Sequence, residues 1–481
     1  MPFSKTPVIN TYETKRVNFV SNLLQRSSDS SKDFRLVNMM TEAIPTAVGQ
    51  QTKVYTKSRP GMTTAFTTQT GEGRGLFYWT VGGVGYAMAV VGNKVYANGT
   101  EVLTLTTSTG LCGMTEHLSS VGAVSLILLD GTKGYVFSTP TTPVEITSVN
   151  FPSPHIPTPV VLDAYLFVAK LNSNDIYNSN LDDPLTWSTG DFISAEMYPD
   201  KIVALSKNNN YLYAVGTSSV EYFSDVANAT GSPLGRQQSA VQQFGTAALG
   251  TVVQTEREVI FVGETNDGGH TVWIIDGFKE REVGIPAVKY ALLAEDGNIP
   301  NARGFAIRAA GQKFYVLCLT LRTYVYSFDN QMWSEWTTGS SIFTGQCGSD
   351  GPNGSAYILD KSNGNVYKMD ETYFTDAGTP ITCTIQTSKY DFDSINRKFM
   401  HRLSLIGDVP DSTLVDSAVS VSWSDDDYKT WSTPRTLKFT ADLPSIFQLG
   451  SFRRRAFRLS YALPHLLRLE GAEADINKGS A

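Results

Sequence analysis

The five histidines are the first residues to consider for metal binding or catalysis. They are His117, His155, His270, His401 and His465. None has a second histidine four residues away with a Glu between them, and none belongs to a Cys/His cluster. An isolated histidine in a β-rich chain is typically structural or on the surface. The histidines therefore predict neither a metal site nor a catalytic residue.

The four cysteines do not form a zinc or redox motif either. Cys112, Cys318, Cys347 and Cys383 lie far apart, and no Cys-x-x-Cys pair is present. We expect free, buried thiols.

Two glycine-rich segments, residues 71–75 and 82–85, are typical of turns. Neither completes Gly-x-Gly-x-x-Gly between a strand and a helix, and neither carries the Lys-Ser/Thr of a phosphate loop. A Gly-x-Ser-x-Gly nucleophile elbow is also missing from the sequence. No catalytic residue, metal or cofactor is predicted.

Residues 424–431 (SDDDYKTW) resemble the Asp box of sialidases and related propellers, Ser-x-Asp-x-Gly-x-Thr-Trp. Tyr428 stands where the box has Gly. The box is structural: Asp426 would accept hydrogen bonds within a hairpin turn, Ser424 would support it, and Trp431 would pack beneath it.

Basic residues concentrate near the end of the chain. They are Arg397, Lys398, Arg453, Arg454, Arg455 and Arg458. On a regular strand, Arg453 and Arg455 would face one side and Arg454 the other. One interpretation is charge pairing on a solvated strand, with the aspartates at 425–427 as candidate partners. The other is contact with nucleic-acid phosphates or with an acidic partner protein.

The composition indicates which elements must position these residues. Of the 481 residues, 18% are charged, against roughly 25% in average soluble chains, and 40 are Gly, 22 Tyr and 24 Phe. This favours many short strands joined by tight turns. The net charge of −7 gives no general basic character. No signal peptide is visible, and no apolar stretch approaches the ~20 residues of a membrane helix.

A strand–turn–strand unit recurs through residues 46–378. Its apolar-aromatic strands begin at residues 94, 134, 165, 211, 259, 314 and 356. Such strands cannot bury their apolar faces in one hairpin, whereas radially stacked four-stranded blades bury both faces. We predict an all-β chain with a β-propeller of about six blades, five or seven remaining open; a long sandwich or a β-helix is the alternative.

The pattern changes after residue 378. Period-two alternation at residues 381–390, 419–423 and 454–461, together with residues 403–406, predicts a small antiparallel β-sandwich. The expected boundaries are an extended N-terminal arm at 1–45, the propeller at 46–378, the sandwich at 379–475 and a free tail at 476–481.

A series of short motifs occurs in a characteristic order. It comprises VNM at 37–39, RPG at 59–61, IYNSNLDDPLTW at 176–187, AEMYPDKIVAL at 195–205, VEYF at 220–223, GSPLGR at 231–236 and RRRAFRL at 453–459. Their order resembles the packaged-DNA stabilisation family, the tail hub or nozzle proteins of short-tailed bacteriophages.

The resemblance implies a virion component and not an enzyme. It implies a ring of six copies below the portal and an adaptor ring, extending the DNA channel, retaining packaged double-stranded DNA and opening at ejection. Expected neighbours are the adaptor, a needle or plug, and tail fibres or spikes. Assembly would take place in host cytoplasm, without a membrane span. The competing hypotheses are a glycan-binding or sialidase-like propeller, suggested by the Asp-box segment, and a generic propeller adaptor.

Overall fold

Short β-strands make up most of the computed structural model, which describes residues 12–21, 23, 32–44, 53–265, 268–408, 418–439 and 443–479. The chain divides into two units that are discontinuous in sequence. The propeller unit comprises residues 60–331 and 341–379, and the sandwich unit comprises residues 1–59, 332–340 and 380–481.

The described part of the propeller unit contains seven consecutive sheets, here called blades 1 to 7. Blade 1 contains Gly73–Val81, Val84–Val91, Lys94–Ala97 and Thr100–Thr104. Blade 2 contains Gly113–Leu118, Val124–Leu129, Gly134–Phe137 and Pro143–Glu145. Blade 3 contains Val160–Leu162, Tyr165–Ala169, Asp175–Asn178 and Phe192–Ser194. Blade 4 contains Ile202–Asn208, Tyr211–Gly216, Val220–Asp225 and Leu234–Gln242.

The last three blades are less regular. In blade 5, Phe244–Gly245 and Val253–Gln254 both pair with Val259–Thr265, which is followed by His270–Asp276 and Lys279–Glu282. Within the propeller unit, blade 6 contains Arg303–Ala309, Gln312–Cys318 and Thr323–Ser327. Blade 7 contains Gly345–Asp350, Ala356–Asp360, Asn365–Asp370 and Gly61–Thr67, with the short strands Thr375–Asp376 and Thr379–Pro380 at its edge.

The strand Gly61–Thr67 closes the propeller. It precedes blade 1 in the chain but pairs antiparallel with Asn365–Asp370 of blade 7, with Met62 opposite Met369. The first and last blades are thereby held together, and the sheet series has no free first or last blade.

The apolar cores of the propeller lie between neighbouring blades. Trp79 and Met88 of blade 1 pack in one buried cluster with Leu126 and Phe137 of blade 2. Comparable clusters join blades 2 and 3, 3 and 4, 4 and 5, and 7 and 1. Blades 1 to 4 therefore bury apolar residues on both faces, which explains the apolar-aromatic strands in their sequence.

Seven blades correct the estimate of about six. The seven apolar-aromatic strands recognised in the sequence each lie in a different blade. The unequal spacing of these strands, with a long connection before blade 6, obscured the count. That connection contains the helix Pro286–Glu295 and the 3-10 helix Asp296–Asn301; the other 3-10 helices are Leu249–Thr251 and Pro352–Gly354. In the described ranges, no helix has the length and hydropathy needed to cross a membrane.

The sandwich unit packs two sheets around one buried cluster. The first sheet has the order Met39–Ile44, Lys53–Ser58, Arg468–Lys478, Lys398–Gly407 and Ser445–Phe447, with Glu13–Asn18 paired to Arg468–Lys478 and Ser451–Phe452 paired to Lys398–Gly407. The second has the order Met332–Thr338, Arg35–Val37, Cys383–Gln386, Ala456–Tyr461, Ala418–Ser424 and Arg435–Lys438.

These boundaries differ from the continuous ones expected from the sequence. Strands Glu13–Asn18, Arg35–Val37 and Met39–Ile44 belong to the sandwich, where the sequence suggested an extended arm. The expected tail also differs, because the last strand continues to Lys478 and Ile476 is fully buried. Pairing with strands several hundred residues away explains both differences. Residues 1–11, most of 22–31 and 480–481 lie outside the described residues.

Candidate interaction surfaces

The Asp-box segment forms a hydrogen-bonded turn between Ala418–Ser424 and Arg435–Lys438. The Asp426 carboxylate accepts hydrogen bonds from the Ser424 hydroxyl at 2.9 Å, the Thr430 amide at 2.9 Å and the Thr430 hydroxyl at 2.6 Å. The Ser424 hydroxyl in turn accepts from the Tyr428 amide at 3.0 Å. Asp426 and Ser424 thus form hydrogen bonds within the turn.

Tyr428 takes the backbone conformation that explains the Gly of the motif. Its φ is +67°, in the left-handed region where Gly has no steric penalty. The Tyr428 ring is buried and its hydroxyl donates to the Thr387 carbonyl at 3.2 Å. Packing and a hydrogen bond thus compensate for the unfavourable backbone angle.

We expect Asp426→Ala to lower the melting temperature of the sandwich unit in a pH-dependent way. Hydrogen bonds from Thr430 and Ser424 lower the pKa of Asp426 from 3.8 to about 2. A carboxylate with a depressed folded-state pKa stabilises the fold above its unfolded pKa, and this contribution is lost as the pH falls through its folded pKa. Thermal melts should therefore show the largest difference from wild type at neutral pH. A difference that stays constant between pH 7 and pH 3 would contradict this assignment.

Arg455 is an internal structural residue and not a surface contact. Its side chain is 1% exposed, and Nε and Nη2 each lie 2.8 Å from one carboxylate oxygen of Asp425. Nη1 donates to the Leu449 carbonyl at 2.9 Å, and the guanidinium lies 4.2 Å from the centre of the Phe452 ring. The pairing alternative, with an aspartate of 425–427, therefore holds for this arginine.

Arg458 and Lys398 are also engaged within the sandwich unit. The Arg458 guanidinium donates to Gln386 Oε1 at 2.7 and 3.1 Å and lies 3.8 Å from the centre of the Trp431 ring. Trp431 therefore packs against an arginine. Lys398 is buried and its Nζ donates to the Ser394 and Asn396 carbonyls at 2.5 and 2.8 Å.

Arg397, Arg453 and Arg454 remain exposed at one end of the first sheet. They adjoin the paired residues Lys398 and Phe452. The predicted alternation of Arg453 to Arg455 is wrong, because the strand ends at Phe452 and a bend occupies 453 and 454. The bend turns both of these arginines outward and Arg455 inward.

Residues of blades 1, 5, 6 and 7 line a cavity of about 560 Å³ in the propeller unit, among them Tyr78, Thr255, Phe305 and Gly348.

Among the described residues, polar contacts join six of the seven pairs of neighbouring blades, through residues on or beside the first strand of a blade. The Tyr78 amide of blade 1 donates to the Ser349 hydroxyl of blade 7 at 2.9 Å. The Arg308 amide of blade 6 donates to the Asp350 carboxylate of blade 7 at 2.5 Å. The other contacts are His117 with the Ala164 carbonyl, Lys207 with the Val161 carbonyl, Asn208 with the Arg257 carbonyl, and Arg308 with Glu256.

These contacts are the functional feature that sequence reasoning missed. Each is worth about 0.5–1.5 kcal/mol, and together they resist sliding of one blade on the next. Their residues lie 40 or more positions apart in several cases, as for Lys207 and Val161. Polar residues at the ends of several first strands, such as Asn208 and Asp350, are the signal that could have indicated them.

The cysteines are free, as expected. Cys112, Cys347 and Cys383 are buried and Cys318 is half-buried. Burial raises the pKa of the Cys112, Cys318 and Cys347 thiols to about 12, which keeps them protonated and unreactive. No group of three or more His, Cys, Asp or Glu side chains in the described ranges could hold a metal ion.

Comparison with protein families gives one match over most of the chain. A family model described as bacteriophage P22 Gp10, β-propeller, matches residues 25–374. No curated protein sequence matches this chain significantly.

Several solved propellers are similar at low identity. A catalytically inactive virginiamycin B lyase from Staphylococcus aureus is 11% identical, with a TM-score of 0.40, covering 69% of this chain and 99% of that one. The Cps50 (Swd1) β-propeller domain of Myceliophteria thermophila is 9% identical, with a TM-score of 0.40 and coverage of 64% and 99%. The N-terminal domain of Nup159 is 10% identical, with a TM-score of 0.39 and coverage of 70% and 99%. At these values the similarities say nothing about function.

Proposed function

The chain belongs to the bacteriophage P22 Gp10 β-propeller family, and on that basis we propose that it is a hub or nozzle protein of a short phage tail. Membership supports a structural role in a phage virion. In the proposed role it extends the DNA channel below the portal and adaptor, retains packaged DNA in the head and takes part in ejection. The family match across residues 25–374 is the observation that carries this proposal.

The proposed assembly is a ring of six copies in the virion tail, put together in host cytoplasm. In such a ring, DNA would pass between copies around their common axis. The ring would contact the adaptor ring, a needle or plug protein, and tail fibres or spikes.

The charge of the propeller unit suits a DNA path. It contains 17 Lys and Arg against 29 Asp and Glu, a formal charge of −12. Basic walls would bind phosphates and slow a polyanion that must leave quickly, whereas acidic walls do not. The polar contacts between blades would help the propeller keep its shape under the pressure of packaged DNA.

We propose that the protein is not an enzyme. The thiols with a raised pKa are protonated, and the Asp-box carboxylate is occupied by hydrogen bonds within its own turn. A sialidase-like function would require turnover of a sialoside by the purified chain, lost in a carboxylate variant.

Phage particles made without this protein provide the test. We expect them to package DNA and then lose it, because the channel lacks its closure, and wild-type tails to contain six copies. DNA content per head measures retention, and a reconstruction of the wild-type tail measures the copy number. A copy number incompatible with six, such as three, or normal DNA retention without the protein, would overturn the proposal.

A further inference from the structure

The two units of the chain carry opposite formal charges. The sandwich unit contains 22 Lys and Arg against 17 Asp and Glu, which gives +5, in contrast to −12 for the propeller unit. Opposite charges on two units of one chain favour contact between the sandwich of one copy and the propeller of another.

One group of neighbouring arginines in the described part of the sandwich unit lacks carboxylate partners. Several of its arginines have carboxylate partners: Arg16 pairs with Glu470, Arg402 with Asp475, Arg455 with Asp425 and Arg468 with Asp408. In the described part of the chain, Arg397, Arg453 and Arg454 have no such partner. Arg453 donates only to a backbone carbonyl, that of Ile395, at 2.9 Å.

These three arginines share their end of the sheet with exposed apolar side chains. Ile395 is 74% exposed and Phe399 is 48% exposed. We call Arg397, Arg453, Arg454, Ile395 and Phe399 the basic end. Burial lowers the pKa of Lys398; nearby Asp391 opposes this effect, and Lys478 and Arg453 add to it.

Blade 3 and the adjoining end of blade 4 carry a complementary surface. The Asp182 amide donates to the Ala164 carbonyl at 3.2 Å, and the Asp191 carbonyl accepts from the Asn178 amide at 3.1 Å. Asp225 pairs with Leu234, which belongs to the buried cluster against which Tyr165 packs. After burial, the three carboxylates also raise the pKa of the Tyr165 phenol. None of the three forms an ion pair with another described residue. Each adjoins an exposed apolar residue: Leu181, Phe192 and Val226 respectively. We call these six residues the acidic face.

We propose that the basic end of one copy docks on the acidic face of a second copy of this chain. The inference rests on the proposed function, because the tail ring is where copies would meet. Arginine forks pair with carboxylates in a bidentate geometry, and the apolar residues on both surfaces would be removed from water by the same contact. The two surfaces differ, so the contact is head-to-tail, and head-to-tail contacts that close produce a ring.

The apolar residues favour a protein partner over DNA. A phosphate backbone offers no apolar surface to Ile395 or Phe399, and its contacts are almost entirely electrostatic. The three arginines of the basic end are too few for a strong phosphate-binding surface.

A charge exchange in assembled particles tests the docking. Arg453→Glu with Arg454→Glu should reduce the copies of this protein per particle at least about tenfold, because like charges would then face each other. Asp191→Arg with Asp225→Arg should do the same. Combining all four substitutions should restore wild-type copy number. Quantitative mass spectrometry measures the copies of this protein relative to the major capsid protein, and thermal melts check that each variant folds.

A matched control variant and the outcomes below distinguish failure of the docking proposal from failure of the proposed function. Lys429→Glu with Lys438→Glu makes the same charge change at exposed sites elsewhere on the sandwich and should leave copy number unchanged. Normal incorporation of either reversed pair, or failure of the four-fold variant to recover, would overturn the docking. Normal copy number with altered DNA retention would overturn it in favour of DNA contact. Absence of the wild-type protein from particles would instead overturn the proposed function.

Discussion

Replacing Arg455 by alanine should lower the free energy of unfolding of the sandwich unit by about 3 kcal/mol. The guanidinium is 1% exposed, binds both oxygens of Asp425 and donates to the Leu449 carbonyl. Removing it leaves a cavity against Phe452 and a buried carbonyl without its donor. The Asp425 side chain is 37% exposed and can be rehydrated, which places the loss at the lower end of the range for broken buried ion pairs.

Urea unfolding of the full chain measures this effect, and the neighbouring Arg454 provides a matched control. Arg454 is exposed, so Arg454→Ala should change the free energy of unfolding by no more than about 0.5 kcal/mol. Equal effects of the two substitutions would show that Arg455 is not the buried anchor described above.

Gly61→Ala should destabilise the propeller unit by about 2 to 3 kcal/mol by disturbing the strand that closes it. A Cβ at Gly61 would lie 2.4 Å from the Thr375 carbonyl oxygen and 2.6 Å from the Thr375 nitrogen. Both are backbone atoms, which cannot move aside as the end of a flexible side chain can. The Gly61 amide also donates to the Tyr373 carbonyl at 2.7 Å, a bond that any shift of the strand would weaken.

Denaturant unfolding, together with limited proteolysis of the strand Gly61–Thr67, measures the result. Gly297→Ala is the matched control, because a Cβ there has no heavy atom within 4 Å and its φ is not in the left-handed region. We expect the control to change stability by less than about 0.5 kcal/mol. Wild-type stability and protease resistance of Gly61→Ala would contradict the closing role of this strand.

The sequence by itself determined the features that depend on neighbouring residues. Apolar-aromatic runs such as Tyr211–Gly216 predict short strands buried on both faces, and the all-β propeller followed from them. The Asp-box turn was predictable for the same reason, because Asp426, Ser424 and Thr430 contact one another within a few residues.

Only the tertiary structure decided features whose partners are distant in the chain. The closure of the propeller depends on Gly61–Thr67 pairing with Asn365–Asp370, and the sandwich includes Glu13–Asn18 paired with Arg468–Lys478. Adjacent arginines likewise differ in burial. Arg455 is buried and donates to Asp425 and to the Leu449 carbonyl, whereas Arg454 is exposed. The physical reason is that a local pattern shows which residues prefer burial. The partner of a buried charge or of a strand edge comes from a distant part of the chain, and its position depends on the whole tertiary structure.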